Sequence, residues 1–421
     1  MMPTRNSFWM AALLAACGLG CVTAPSSNSG PPTARYDYER HPLHTELSAF
    51  HRTDDTTDIL ISLPSRDMLY AKDNADAAFE AKLDLLIRTY SQDGSTDTLL
   101  LQPHFPYRED MPMRVHVTVP IALAAGAEDH VYVKLTDVRR DRSASASLRL
   151  DKRGTTNHQN YRIDLADGTP LTGGTVPQGA TVSVWCPRCE GDQLQLLQRT
   201  DPAKLPPPPF SYNGYTPRSF GPNHILLDLY FPKDKRMEFD LLEGTYLFTH
   251  SDALDQGSVV VTTSGLYPEV TTAAGMAETL RYVTSRAEYE DLNGNNQRQQ
   301  VEAFWMKCAE DREQARELIR IYYGRVREAN AYFTEAVPGW KTDRGLIHIV
   351  FGNPQKMNVS STGETWIYGE EDNLNALVFR FNKAESGHTE NRYLLERNEQ
   401  LVKVRWERAI TSWRNGRIYA E

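Results

Sequence analysis

The chain has 421 residues, 40% hydrophobic and 24% charged, with a formal net charge of −9. That length exceeds what a single core usually supports, so two or three domains are expected. The acidic balance is spread along the chain and argues against a nucleic-acid partner.

Arg5 precedes an apolar run from Phe8 to Ala16 that is too short to span a bilayer. The run ends at Leu14-Ala15-Ala16-Cys17, which is similar to the lipobox of bacterial lipoproteins, where signal peptidase cuts just before the cysteine. A signal peptide over 1–16 and acylation of Cys17, with palmitate among the chains, are therefore expected. An ordinary secretory signal with a chance cysteine is the plainer alternative, and Cys21 behind Gly18-Leu19-Gly20 is a poorer cut site. Two or three acyl chains, at about 0.8 kcal/mol per buried methylene, would anchor the chain stably. The Ser-, Pro-, Gly- and Thr-rich stretch that follows reads as a flexible tether, placed at 17–35 with the anchor.

From residue 36 to 152 apolar residues alternate with polar ones. Ala81, Leu83, Leu85 and Ile87 form one such series, Val115, Val117 and Val119 a second, and Val131, Val133 and Leu135 a third. Period two gives strands with one buried and one wet face. With turns such as Gln92-Asp93-Gly94-Ser95 between them, a β-sandwich-like domain is expected.

A second β domain is expected over 153–264. Within it, Ala180 to Trp185 and Gln193 to Gln198 read as a hairpin with Trp185-Cys186-Pro187-Arg188-Cys189 at its tip. That string resembles the Trp-Cys-x-x-Cys site of thioredoxin-like oxidoreductases, but no βαβ pattern surrounds it and no helix start would lower a thiol pKa. Three readings stay open for Cys186 and Cys189: a local disulfide, free or metal-linked thiols, and redox chemistry. No second pair supplies the further ligands zinc needs. Leu205-Pro206-Pro207-Pro208-Pro209-Phe210 should adopt polyproline II, as a stiff connector or as an SH3-type ligand.

Beyond Leu266-Tyr267-Pro268 the pattern changes. Ser285-Arg286-Ala287-Glu288 fits a capping box. An apolar stripe from Val301 to Phe333 predicts one helix of about 35 residues or two consecutive ones, with Cys308 buried on it. Short strands are expected at Leu346–Phe351, with His348 in the first of them, then at Thr365–Tyr368 and Ala376–Phe381, before a last helix carrying Trp406, Ile410 and Trp413. Glu370-Glu371-Asp372 reads as a solvated loop and not as a calcium site. The whole is a multidomain fold, mainly β in its N-terminal two-thirds (antiparallel, sandwich-like) and α+β over 265–421.

Val337-Pro338-Gly339-Trp340-Lys341-Thr342-Asp343-Arg344-Gly345, with the apolar run and Gly352-Asn353-Pro354 behind it, resembles the signature of the GWxTD-domain family. Leu280-Arg281-Tyr282-Val283, Ala303-Phe304-Trp305 and Glu364-Thr365-Trp366-Ile367-Tyr368 match its flanks. The insert between Pro354 and Glu364 is short, and Lys307 to Glu313 is less regular than the family's lead-in. The resemblance implies an exported, often lipid-anchored protein and brings no family-wide activity or cofactor. Physically, Gly339 and Gly345 permit backbone angles that side chains forbid, and Trp340 is an apolar anchor. Thr342 and Asp343 would fix a turn. Arg344 would pair with Asp343 or with a carboxylate of the long helix. In the alternative reading Thr342, Asp343 and Arg344 line a groove for a ligand or partner.

No nucleophile elbow, P-loop or zinc-protease motif is present. The expected function is that of a non-catalytic envelope lipoprotein at the outer membrane, without cofactor or metal, binding another envelope protein or a glycan. Thiol–disulfide exchange at Cys186 and Cys189, or glycan binding at the cell surface, are the alternatives.

Overall fold

The computed structural model describes residues 34–36, 45–189, 191–199, 205–211, 224–231, 235–360, 362–370, 376–384 and 387–418. The chain divides into two units, 1–30 and 31–421. The signal peptide, Cys17, Cys21 and most of the expected tether lie outside the described residues, as do Glu371 and Asp372.

The first strand, β1 (Ala34–Tyr36), belongs to a sheet whose other members lie at the far end of the sequence. Next come β2 (Glu46–His51), β3 (Thr56–Pro64), β4 (Glu80–Tyr90), β5 (Thr96–Leu101), β6 (His104–Pro106), β7 (Arg114–Ala122), β8 (Glu128–Asp137) and β9 (Arg142–Asp151). They form two antiparallel sheets, β2-β3-β7 and β5-β4-β8-β9, with β6 also on β4. Ala81, Leu83, Leu85 and Ile87 pack with Val131, Val133 and Leu135 against Ile59, Ile61 and Leu63, so the period-two residues are the shared core.

The second β region contains β10 (Arg162–Leu165), β11 (Thr175–Pro177), β12 (Ala180–Trp185), β13 (Gln193–Arg199), β14 (His224–Tyr230), β15 (Met237–Leu241), β16 (Thr245–His250) and β17 (Ser258–Thr263). Here the expected hairpin is corrected. β12 lies in the sheet β10-β12-β15, whereas β13 lies in β11-β17-β16-β13-β14. Residues 186–192 carry the chain from one sheet to the other, because Leu194 and Leu196 reach the same core as Val182 and Val184 from the opposite sheet.

The C-terminal region is α+β. Its helices are α1 (Ala273–Thr279), α2 (Arg286–Leu292), α3 (Gln297–Cys308), α4 (Arg312–Phe333), α5 (Asp343–Phe351) and α6 (Glu399–Arg414). β18 (Lys356–Val359), β19 (Gly363–Tyr368), β20 (Leu377–Lys383) and β21 (Tyr393–Leu395) form the sheet β1-β18-β19-β20-β21. Ser285 and Glu288 make the capping box of α2. The apolar stripe is two helices; Asp311 breaks it by accepting the Gln314 N–H as the cap of α4.

Two expectations fail in this region. Residues 346–351 are helix and not strand, since all of α5 is buried and an apolar run closed on every side shows neither period. The chain start is also not all tether, since Ala34–Tyr36 pair with Val359–Met357 on the edge of the C-terminal sheet. Among the described residues no helix is long and apolar enough to cross a membrane.

Candidate functional site

Thr342 is the N-cap of α5: its Oγ1 accepts the Gly345 N–H at 3.0 Å and donates to the Gly339 carbonyl at 2.8 Å. One side chain thereby joins the 3-10 turn at 339–341 to the helix that follows it. The two glycines serve close approach, which corrects the expectation that they supply unusual backbone angles. Neither has a positive φ. A Cβ on Gly339 would fall on the Ala329 carbonyl of α4, and one on Gly345 would fall on the Gly339 carbonyl.

Trp340 is buried, edge-on to Tyr282 with ring centres 6.2 Å apart, and its carbonyl accepts the Tyr282 hydroxyl at 2.7 Å. Its backbone N–H donates to Asn330 Oδ1 at 3.2 Å. The Gly339 N–H donates to Thr334 Oγ1 at 3.0 Å, and Asn330 Nδ2 reaches the Pro268 carbonyl at 3.0 Å. Tyr267 bonds the same Thr334 hydroxyl. The last turn of α4 thus presents polar atoms to the backbone of the motif.

Asp343 and Arg344 face outward from α5 yet are buried. Asp343 accepts the Leu395 N–H of β21 at 2.9 Å and holds Arg397 at 2.6 Å and 3.3 Å. Arg344 donates to Glu364 Oε1 on β19 at 2.9 Å and to the Asn391 carbonyl at 2.7 Å. Its guanidinium lies 4.0 Å from the Tyr393 ring centre and 5.0 Å from that of Phe333. Glu364 Oε2 accepts the Trp366 indole N–H at 2.9 Å. The partner of Arg344 is therefore neither Asp343 nor a carboxylate of the long helix. The sheet carries it, because alternation places Glu364 on the buried face with Trp366 and Tyr368.

His348 is buried in α5 and bonds Glu328 at 3.0 Å; burial lowers its pKa, against the pull of that carboxylate. Arg325 donates to the Ile349 and Val350 carbonyls at 3.2 Å and 3.1 Å, placing a cation at the helix C-terminus. Cys308 is buried and burial raises its thiol pKa.

Residues 244–415 match the family model of the GWxTD domain. The chain carries a GWxTD domain. The match begins at Gly244, ahead of β16, so it takes in the last two strands of the second β region. No curated protein matches the chain. The chain is similar to Bacteroides uniformis β-glucuronidase 2 covalently bound to cyclophellitol-6-carboxylate aziridine, at 14% identity over 30% of this chain and 14% of that one, TM-score 0.18. A second Bacteroides uniformis β-glucuronidase structure matches at 14% identity over 32% and 16%, TM-score 0.18. The chain spans less than a fifth of the length of these solved proteins.

Outside the GWxTD motif, Cys186 and Cys189 are buried and their sulfurs are bonded to each other. They sit on a 3-10 turn at Pro187–Cys189, where there is no α-helix start to stabilise a thiolate. Arg188 between them donates to Asp54 at 3.1 Å, the Gly154 carbonyl at 3.1 Å and Asn160 Oδ1 at 2.7 Å, tying the turn to the first β region and the linker behind it. Among the described residues no three His, Cys, Asp or Glu side chains could share a metal ion. Of the described tryptophans, Trp305, Trp340, Trp366, Trp406 and Trp413 are buried, and half-buried Trp185 packs on Phe50 and under Arg236.

Proposed function

We propose that the protein is a non-catalytic lipoprotein of the cell envelope, held at the outer membrane through Cys17 and acting as a binding or scaffold component. One observation carries this reading: the polar side chains of the GWxTD motif bind the chain's own backbone and side chains. Thr342 caps a helix, Asp343 clasps β21 and Arg397, and Arg344 clasps Glu364 and Asn391. A reacting group needs a free lone pair or proton aimed at a substrate, and apart from the buried Nε–H of Arg344 these groups are engaged with their neighbours. The extracytoplasmic placement rests on the Leu14-Ala15-Ala16-Cys17 string and on what the GWxTD resemblance implies.

The full chain should fractionate with membranes and carry acyl mass on its N-terminal peptide, and Cys17→Ser should release it. Cross-linking on intact cells should retain specific envelope proteins with the wild type and lose them with Cys17→Ser. An unacylated wild type, or recovery of monomer alone, would count against the proposal.

A further inference from the structure

The proline run does not hang between two strands. Pro206 and Pro209 are buried while Pro208 is exposed, the three-residue repeat that extended pre-proline backbone over 205–208 gives, and the run then ends in a turn at Pro209–Phe210 that the Ser211 N–H closes on the Pro208 carbonyl at 2.9 Å. That surface is the GWxTD domain, whose core Leu205 and Phe210 pack against. The Pro207 carbonyl accepts from Arg397 at 3.4 Å, and two residues on the Pro209 carbonyl accepts the Asn398 N–H at 3.3 Å. Lys403 of α6 places its ammonium 6.0 Å from the Phe210 ring centre.

The chemistry of the groove matches its occupant. Prolines bring carbonyl acceptors and no N–H donors, and this surface meets them with donors. Arg397 is aimed by Asp343 of the motif, which holds it by two oxygens. A polyproline segment is preformed, so seating it costs little conformational entropy.

We propose that this face of the GWxTD domain is a recognition groove for proline-rich segments that run extended and end in a turn, and that Leu205–Phe210 is its resident ligand. The ligand class is a run with prolines three residues apart whose second proline and the aromatic residue directly after it make the closing turn. A covalently linked ligand acts at an effective concentration of roughly millimolar, so modest intrinsic affinity keeps it seated and a tighter or multivalent partner displaces it. The proposal deepens the scaffold reading by naming a ligand class, and its test reads peptide binding and not membrane attachment.

The test uses the full chain in detergent and a labelled synthetic peptide of the sequence Leu205 to Ser211. The variant Pro206→Gly with Pro209→Gly, which unseats the resident run, should bind the peptide saturably. Wild type should bind it at least ten-fold more weakly, and adding Arg397→Ala to the glycine variant should abolish binding. A folded glycine variant that does not bind, or binding indifferent to Arg397→Ala, overturns the groove. Should the glycine variant not fold, excess peptide added to wild type should speed hydrogen exchange at the Phe210 and Ser211 amides; unchanged exchange overturns it equally. Failure here leaves the cross-linking result on intact cells standing, so the two readings fail separately.

Discussion

Gly339→Ala is expected to lower the melting temperature of the GWxTD domain by about 6–12 °C, measured by calorimetry or tryptophan fluorescence. The new methyl would fall on the carbonyl of Ala329 in α4. The obstacle is backbone, so no rotamer change relieves it, and the 3-10 turn must part from the helix. Overpacking typically costs 1–3 kcal/mol and occasionally more; about 3 kcal/mol, at roughly 2–4 °C per kcal/mol for a domain of this size, gives the shift stated. Parting the turn also strains the bonds from Trp340 to Asn330 and from Gly339 to Thr334. Gly324→Ala, in the same α4 with open space at its Cβ, serves as the control. It should raise stability by up to about 1 kcal/mol, since alanine is the better helix former. A Gly339→Ala chain as stable as wild type would mean the turn does not press on α4.

Arg344→Ala should destabilise by about 3–5 kcal/mol, the usual cost of leaving one member of a buried ion pair alone. Glu364 would keep the Trp366 N–H and lose its cation, while the Asn391 carbonyl and the Tyr393 face would lose their partner. Arg344→Lys should recover only part, because an ammonium cannot reach Glu364 and Asn391 at once as a planar fork does. Arg344→Met with Glu364→Gln should recover part of the loss, since no charge is left buried and unpaired and the glutamine oxygen can still accept the Trp366 indole N–H. Urea unfolding followed by tryptophan fluorescence reads all four chains. A loss below about 1 kcal/mol for Arg344→Ala would place the guanidinium in water, free for an outside ligand.

The layout of the fold was legible where hydrophobic period and capping chemistry agree. Leu83, Leu85 and Ile87 point one way along β4, and the Ser285–Glu288 box marks the start of α2. α5 misleads because Leu346, Ile347, Ile349 and Val350 are all buried and leave no polar face to count from. Thr342 followed by Asp343 was the available signal, being a cap residue and an acid at a helix start. The expected hairpin at Cys186 fails for a different reason: alternation gives the strands but not the sheet each joins. Within the site, Glu364 was findable, since an acid in phase with Trp366 and Tyr368 sits on a buried face and requires a partner. Asn330 and Thr334 flank Phe333 at the end of an apolar stripe and were findable on the same ground. Asn391 and Arg397 were not, because only the folded backbone brings them to α5 from about 50 residues away. The N-terminal strand at Ala34–Tyr36 is too short to carry a period at all.

Native-state hydrogen exchange on the full chain, wild type against Asp343→Asn, tests most directly whether the GWxTD motif serves the chain itself. Asp343 accepts the Leu395 N–H and aims Arg397 beneath the proline run, while the neighbouring Asn398 N–H donates to Pro209. A charged acceptor accounts for about 1.5–3 kcal/mol per hydrogen bond, so protection at the Leu395 and Asn398 amides should fall together, by roughly ten- to a hundred-fold. If both amides keep wild-type protection while the variant stays folded, the carboxylate is not holding β21 and the proline run, and the motif is free to act on something outside the chain.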